Sequence, residues 1–187
     1  LPTLLPAPAL AGLRLLAPMA AAQPARPPAF ELVVRAPAPL QELLERNLEL
    51  RRYRYQSDLQ RRELTRLLGA TDANVRDLIG TLGYFSPTVT VEIKETPESE
   101  EAPLQVTVKV DPGEPATIAR SQVRFAGVNA DDPDGASQRA TIKEDWPLQP
   151  GQRFSQANWS QAKSQGLRTL QSRRYPLARI DSSLADI

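Results

Sequence analysis

The chain has 187 residues, 41% hydrophobic and 24% charged, with a formal net charge of +1. That is room for one medium domain or two small ones of ordinary soluble composition, and the near-neutral balance excludes a chain that works as a whole by binding polyanions. With neither cysteine nor histidine, it can build no disulfide, thiolate nucleophile or histidine-based triad, and a zinc site would lack both favoured ligand types.

Residues 1–28 are rich in Ala, Leu and Pro. Ala20-Ala21-Ala22 before Gln23 fits the small-x-small rule of a signal-peptide cleavage site, and the run Leu10–Ala22 is too short to span a bilayer. The stretch reads as the remnant of a secretory signal with a disordered Ala/Pro segment, and a plain Ala/Pro tail is the alternative. Either way it lies outside the fold.

Residues 30–37 form a short apolar run closed by Pro37, a strand signal. From Pro39 to Tyr55, Leu40, Leu43, Leu44 and Leu48 fall at helical spacing, with Pro39 suited to the first turn. A second helical window covers 58–68, with Asp58 as cap and Gly69 as stop. A third covers 71–82, capped by Thr71 or Asp72, with Val75, Leu78, Ile79 and Leu82 on one face. Gly83 supplies the left-handed conformation that ends it, and Tyr84 and Phe85 are expected to cover the junction of helix end and sheet.

Strict alternation predicts a strand over Thr88, Val89, Thr90, Val91, Glu92 and Ile93, and another over Leu104–Val110. Two alternating strands around a polar loop make a hairpin. Glu95, Glu98, Glu100 and Glu101 in that loop read as an exposed acidic turn, because acid–base work needs a shaped, dry pocket. Residues 117–127 read as a strand and 128–138 as a polar loop. Residues 155–175 read as a helix capped by Ser155, with Trp159, Ala162, Leu167 and Leu170 near one stripe, and a further strand begins at Pro176. Leu32 to Val123 and Tyr84 to Tyr175 share one offset, so the order of elements restarts, as in a tandem repeat.

A repeated unit of strand, helices, strand, strand resembles the polypeptide-transport-associated (POTRA) domain. The resemblance rests on Gly83-Tyr84-Phe85, on Val110-Asp111-Pro112-Gly113-Glu114-Pro115 and on Val123 through Gly127. The second unit adds Trp146-Pro147-Leu148, Gly151, Lys163, Leu167, Leu170 and Tyr175. Within that superfamily, residues 30–187 look most like the POTRA region of TamA-like outer-membrane assembly proteins. Arg174 departs from the pattern, standing where the family has glycine; that corner is expected to be strained or left-handed.

The expected fold is α+β: two tandem POTRA units, 29–115 and 116–187, each a three-stranded mixed sheet with helices on one face, the second truncated before its last strand. The polar alternates Thr88, Thr90, Gln105, Thr107 and Lys109 fit an exposed sheet face. Gly83, Tyr84, Phe85 and Tyr175 are the expected structural corners. The resemblance implies a non-enzymatic periplasmic module of an outer-membrane protein, serving autotransporter translocation and β-barrel insertion. It implies a TamB-like inner-membrane-anchored partner, unfolded outer-membrane clients and a C-terminal membrane β-barrel beyond this chain. It also makes residues 88–93 an edge strand for β-augmentation. No cofactor, metal or nucleic acid is expected.

No glycine-rich phosphate loop is present. The run 130–135, read as a calcium loop, would place Ala130 and Thr141 where carboxylates are needed, so a solvated loop is expected. Arg51, Arg52, Arg54, Arg61, Arg62 and Arg66, with Arg46, form a basic run. Glu42, Glu45 and Glu49 offer local partners for a solvated face; the other reading is a docking face for an acidic partner or anionic headgroups. Two alternatives to the assembly module stay open: the periplasmic part of a two-partner secretion pore, and an RNA-binding α+β domain using these arginines with Tyr53 and Tyr55.

Overall fold

A computed structural model describes residues 28–56, 58–98 and 102–186. The expected signal remnant and the loop residues Glu100 and Glu101 lie outside the described residues, apart from Pro28.

The first unit begins with β1 (Glu31–Arg35). Helix α1 (Ala38–Asn47) follows, with Pro39 in its first turn, then the single turn α2 (Leu50–Tyr53). Helix α3 (Arg61–Gly80) is one element of 20 residues. This corrects the two windows expected on either side of Gly69. The buried positions Leu64, Leu67, Thr71, Val75 and Ile79 run through that glycine at helical spacing. Their burial outweighs the roughly 1 kcal/mol that an interior glycine costs a helix. Thr71, expected as a cap, instead donates its hydroxyl to the Leu67 carbonyl inside the helix, at 2.9 Å.

β2 (Thr88–Glu95) and β3 (Leu104–Asp111) form the expected hairpin. The sheet order is β1-β3-β2. β1 runs parallel to β3, with Val34 opposite Val108, and β2 runs antiparallel to it, with Val91 opposite Val108. The unit is therefore α+β with a three-stranded mixed sheet. Leu40, Leu44, Leu50, Leu64, Leu67, Val75 and Ile79 from the helices, with Leu48 just past α1, close over Val34, Val106, Val108 and Val110. The other face is less open than the alternation implied. Thr107 is only 8% exposed, because it sits mid-sheet between Val33 and Glu92.

Residues 116–187, the expected second unit, depart further from expectation. No strand forms over 117–127; Thr117 makes one isolated bridge with Arg153. Burial still alternates from Ser121 to Ala126, but no ladder accompanies it. Alternation is the sequence mark of a strand; the strand itself needs a backbone partner, and no described segment supplies one. Nor is there a strand among the described residues after Pro176. The loop expected over 128–138 is folded: α4 (Val128–Asp131), a 3-10 turn (Pro133–Gly135) and the start of α5 (Ala136–Glu144). Helix α6 (Gln156–Gln171) begins as expected, with Ser155 Oγ accepting from Asn158 N. It stops short of Tyr175. Arg174 is neither helical nor left-handed, since every positive φ among the described residues belongs to glycine.

Candidate functional site

β2 is an outer strand of the sheet. Thr96 N donates to the Pro103 carbonyl at 2.8 Å, and these residues continue the β2–β3 register. Directly opposed residues in an antiparallel pair alternate between hydrogen-bonded and non-bonded. By that parity Thr88, Thr90, Glu92 and Lys94 spend their backbone groups on β3. Val89, Val91 and Ile93 point theirs away from it. Among the described residues no other backbone takes them up, so the edge presents a row of unused donors and acceptors.

The two faces of this strand differ. Val89 and Val91 are half-buried beside the helix-side core. Ile93, in the same row opposite Val106, is 52% exposed. Thr88, Thr90 and Glu92 face outward, and Glu92 accepts from Lys109 Nζ at 2.8 Å. An added strand would therefore meet apolar side chains on one side and polar ones on the other.

The basic run is dispersed among several tasks. Arg51 donates to the Glu45 and Arg46 carbonyls near the end of α1, at 3.3 and 3.4 Å. Arg54 lies over the Tyr55 ring at 5.5 Å, and its Nε is buried without a partner. Arg61 pairs with Glu95 at 3.6 Å. Arg66 grips Glu63 with two bonds, at 2.6 and 3.1 Å. Arg52 and Arg62 are exposed and have no partner among the described residues. Most of these side chains thus have contacts within the protein, which leaves a thin patch for docking.

The corner residues occupy a different kind of place. Gly83 has φ +88°, and a Cβ there would run into the Phe154 carbonyl oxygen. Tyr84 packs on the first unit's core, with Arg153 of the second unit over its ring at 4.6 Å. Phe85, expected to cover the junction of helix end and sheet, faces Phe154 at 5.9 Å between ring centres. Tyr175 has no matching role: its hydroxyl reaches Asp132. Sequence reasoning missed two contributors here. Buried Gln138 donates to the Thr169 and Leu170 carbonyls at the end of α6, and Arg153 joins the units. No local pattern marks either one. Among the described residues no group of three or more Asp or Glu side chains could hold a metal ion.

Residues 36–112 match the family described as POTRA domain TamA domain 1. The segment is a POTRA domain of the BamA/TamA superfamily. No curated protein matches the chain. Among solved structures, the POTRA3-5 segment of Haemophilus influenzae BamA matches with a TM-score of 0.33 at 22% identity, over 77% of this chain and 50% of that one. The chain thus spans about half the length of that structure.

Proposed function

We propose that this chain, with its POTRA domain at residues 36–112, is a non-enzymatic periplasmic interaction module of a TamA-like outer-membrane assembly protein. It would take part in translocating autotransporters and inserting β-barrel proteins. Residues 116–187 would be a second unit of the same kind. The observation that carries the reading is the unused edge of β2, from Val89 to Ile93. An extended segment of a TamB-like partner or an unfolded client adds there as a fourth strand. Backbone hydrogen bonds hold it, so clients of varied sequence are accepted, and the apolar row ending at exposed Ile93 favours segments that alternate apolar and polar residues. Outer-membrane strands carry that alternation.

The absence of cysteine gives a clean test. Thr88→Cys, Thr90→Cys and Glu92→Cys are each mixed with synthetic ten-residue alternating peptides carrying one cysteine at successive positions. Strand addition predicts disulfides whose best peptide position moves by two for each two-residue step along β2. Crosslinks at control cysteines replacing Arg52 and Arg62, with none along 88–92, would instead make the basic patch the docking face. Binding of RNA that weakens steeply with salt would support the nucleic-acid reading.

A further inference from the structure

The segment between the two units makes more bonds than a tether needs. A helix ends with carbonyls that have no partner within it. At α3 the last of these are closed locally, Ile79 O by Leu82 N and Gly80 O by Gly83 N, while the carbonyls just past its end are filled from the second unit and the connecting segment. Thr81 O accepts from Gln156 N at 2.8 Å, and Gly83 O accepts from Ala116 N at 2.8 Å. Leu82 O accepts from the Arg153 guanidinium at 3.4 Å.

Gln156 is the first residue of α6. The negative end of one helix therefore meets the positive start of another, each belonging to a different unit. The connecting segment closes the arrangement. Phe154 N donates to Ala116 O at 2.9 Å, Ile118 N to Gln152 O at 2.8 Å, and Gly151 N to Ile118 O at 2.7 Å. Phe85 against Phe154 and Arg153 over Tyr84 cover the bonds with ring surface. Only glycine at position 83 lets the Phe154 carbonyl approach this closely.

We infer that the two units form one rigid body, locked where the end of α3 meets the start of α6, with Gly83 and Arg153 as the residues that set the angle. The inference is independent of what binds at β2. It means that whatever docks there is held in a fixed direction relative to the second unit.

Spin labels on introduced cysteines test it in the otherwise cysteine-free chain. Ala73→Cys with Arg168→Cys spans the joint, and Arg62→Cys with Ala73→Cys lies within α3 and supplies a rigid yardstick. Pulsed dipolar spectroscopy is expected to give the spanning pair a single peak as narrow as the yardstick. Gly83→Ala should shift or broaden that peak by forcing Phe154 away, and Arg153→Ala, a surface change that leaves both units able to fold, should broaden it. The yardstick should stay unchanged in both. A spanning peak broader than the yardstick in the unsubstituted joint overturns the inference. So does an Arg153→Ala peak with the original centre and width.

Discussion

The Tyr175 hydroxyl donates to Asp132 Oδ2 at 2.6 Å, tying the chain just beyond α6 to the turn before α5. Arg174 reinforces the tie, reaching Asp132 at 3.3 Å and Asp134 at 3.0 Å. The Tyr175 bond is the first cause holding the Asp132 carboxyl below its ordinary value of 3.8. The same bond holds the Tyr175 phenol above its ordinary 10.0. The carboxyl's contribution is therefore present above pH 3.8 and lost as pH falls through the lowered folded value. The phenol's is present below pH 10.0 and lost as pH rises through the raised one. Tyr175→Phe should lower the stability of the second unit throughout that window and lose its effect at both extremes. Urea denaturation of both proteins across pH checks this; a difference that persists in strong acid would show that lost packing, not the bond, is responsible.

Gly83→Val should destabilise by roughly 1–3 kcal/mol, because a β-branched residue is forced to a positive φ. The collision with the Phe154 carbonyl adds to that cost. Equilibrium denaturation gives the value, and an unchanged midpoint would rule out the strained corner.

Gly69→Ala should act in the opposite sense. The position is inside α3 and exposed, and a Cβ there meets nothing within 4 Å. A gain of about 0.5–1 kcal/mol is expected in the same measurement. No gain would mean that α3 is interrupted at Gly69 in solution.

Ile93→Pro should separate strand addition from folding. By the ladder parity its amide points to the open edge, so proline there removes an outward donor and keeps the bonds to β3. Peptide crosslinking along β2 should fall to background while circular dichroism stays native. Glu92→Pro, which loses a donor facing β3, should disturb the hairpin itself. Full crosslinking in folded Ile93→Pro would place partner binding elsewhere.

The elements most legible in the sequence are those whose stabilising partners are close in the chain. Alternation over 88–93 and 104–110 marked a hairpin because the two strands pair with each other. Gly83 and Ser155 carried their own backbone chemistry at helix ends. Gly69 misled because a local stop signal competes with a stripe of burial running from Leu64 to Ile79, and burial wins. The 117–127 segment misled for the converse reason: it has the pattern of a strand and no described partner to complete it. The edge position of β2 followed only from the family resemblance, and the ladder then fixed which backbone groups are free. Thr107 looked like a solvent-facing alternate, and only its place between two neighbours buries it. The contacts of Arg153 and Gln138 join residues far apart in sequence, where no periodicity reports them.

The parallel pairing of β1 with β3 has a consequence for the order of folding. Glu31 and Gln105, hydrogen-bonded at 2.7 Å, are 74 residues apart in the chain. The β2–β3 hairpin and α3 can form from near neighbours, whereas β1 must wait for a long loop to close, and that entropy is spent before any contact repays it. Pulse-labelled hydrogen exchange during refolding should find β3 amides facing β2 protected earlier than the β1 amides that bond to β3. The first strand of the sequence is then the last to seal the sheet, and until it does, both sides of the hairpin are open edges.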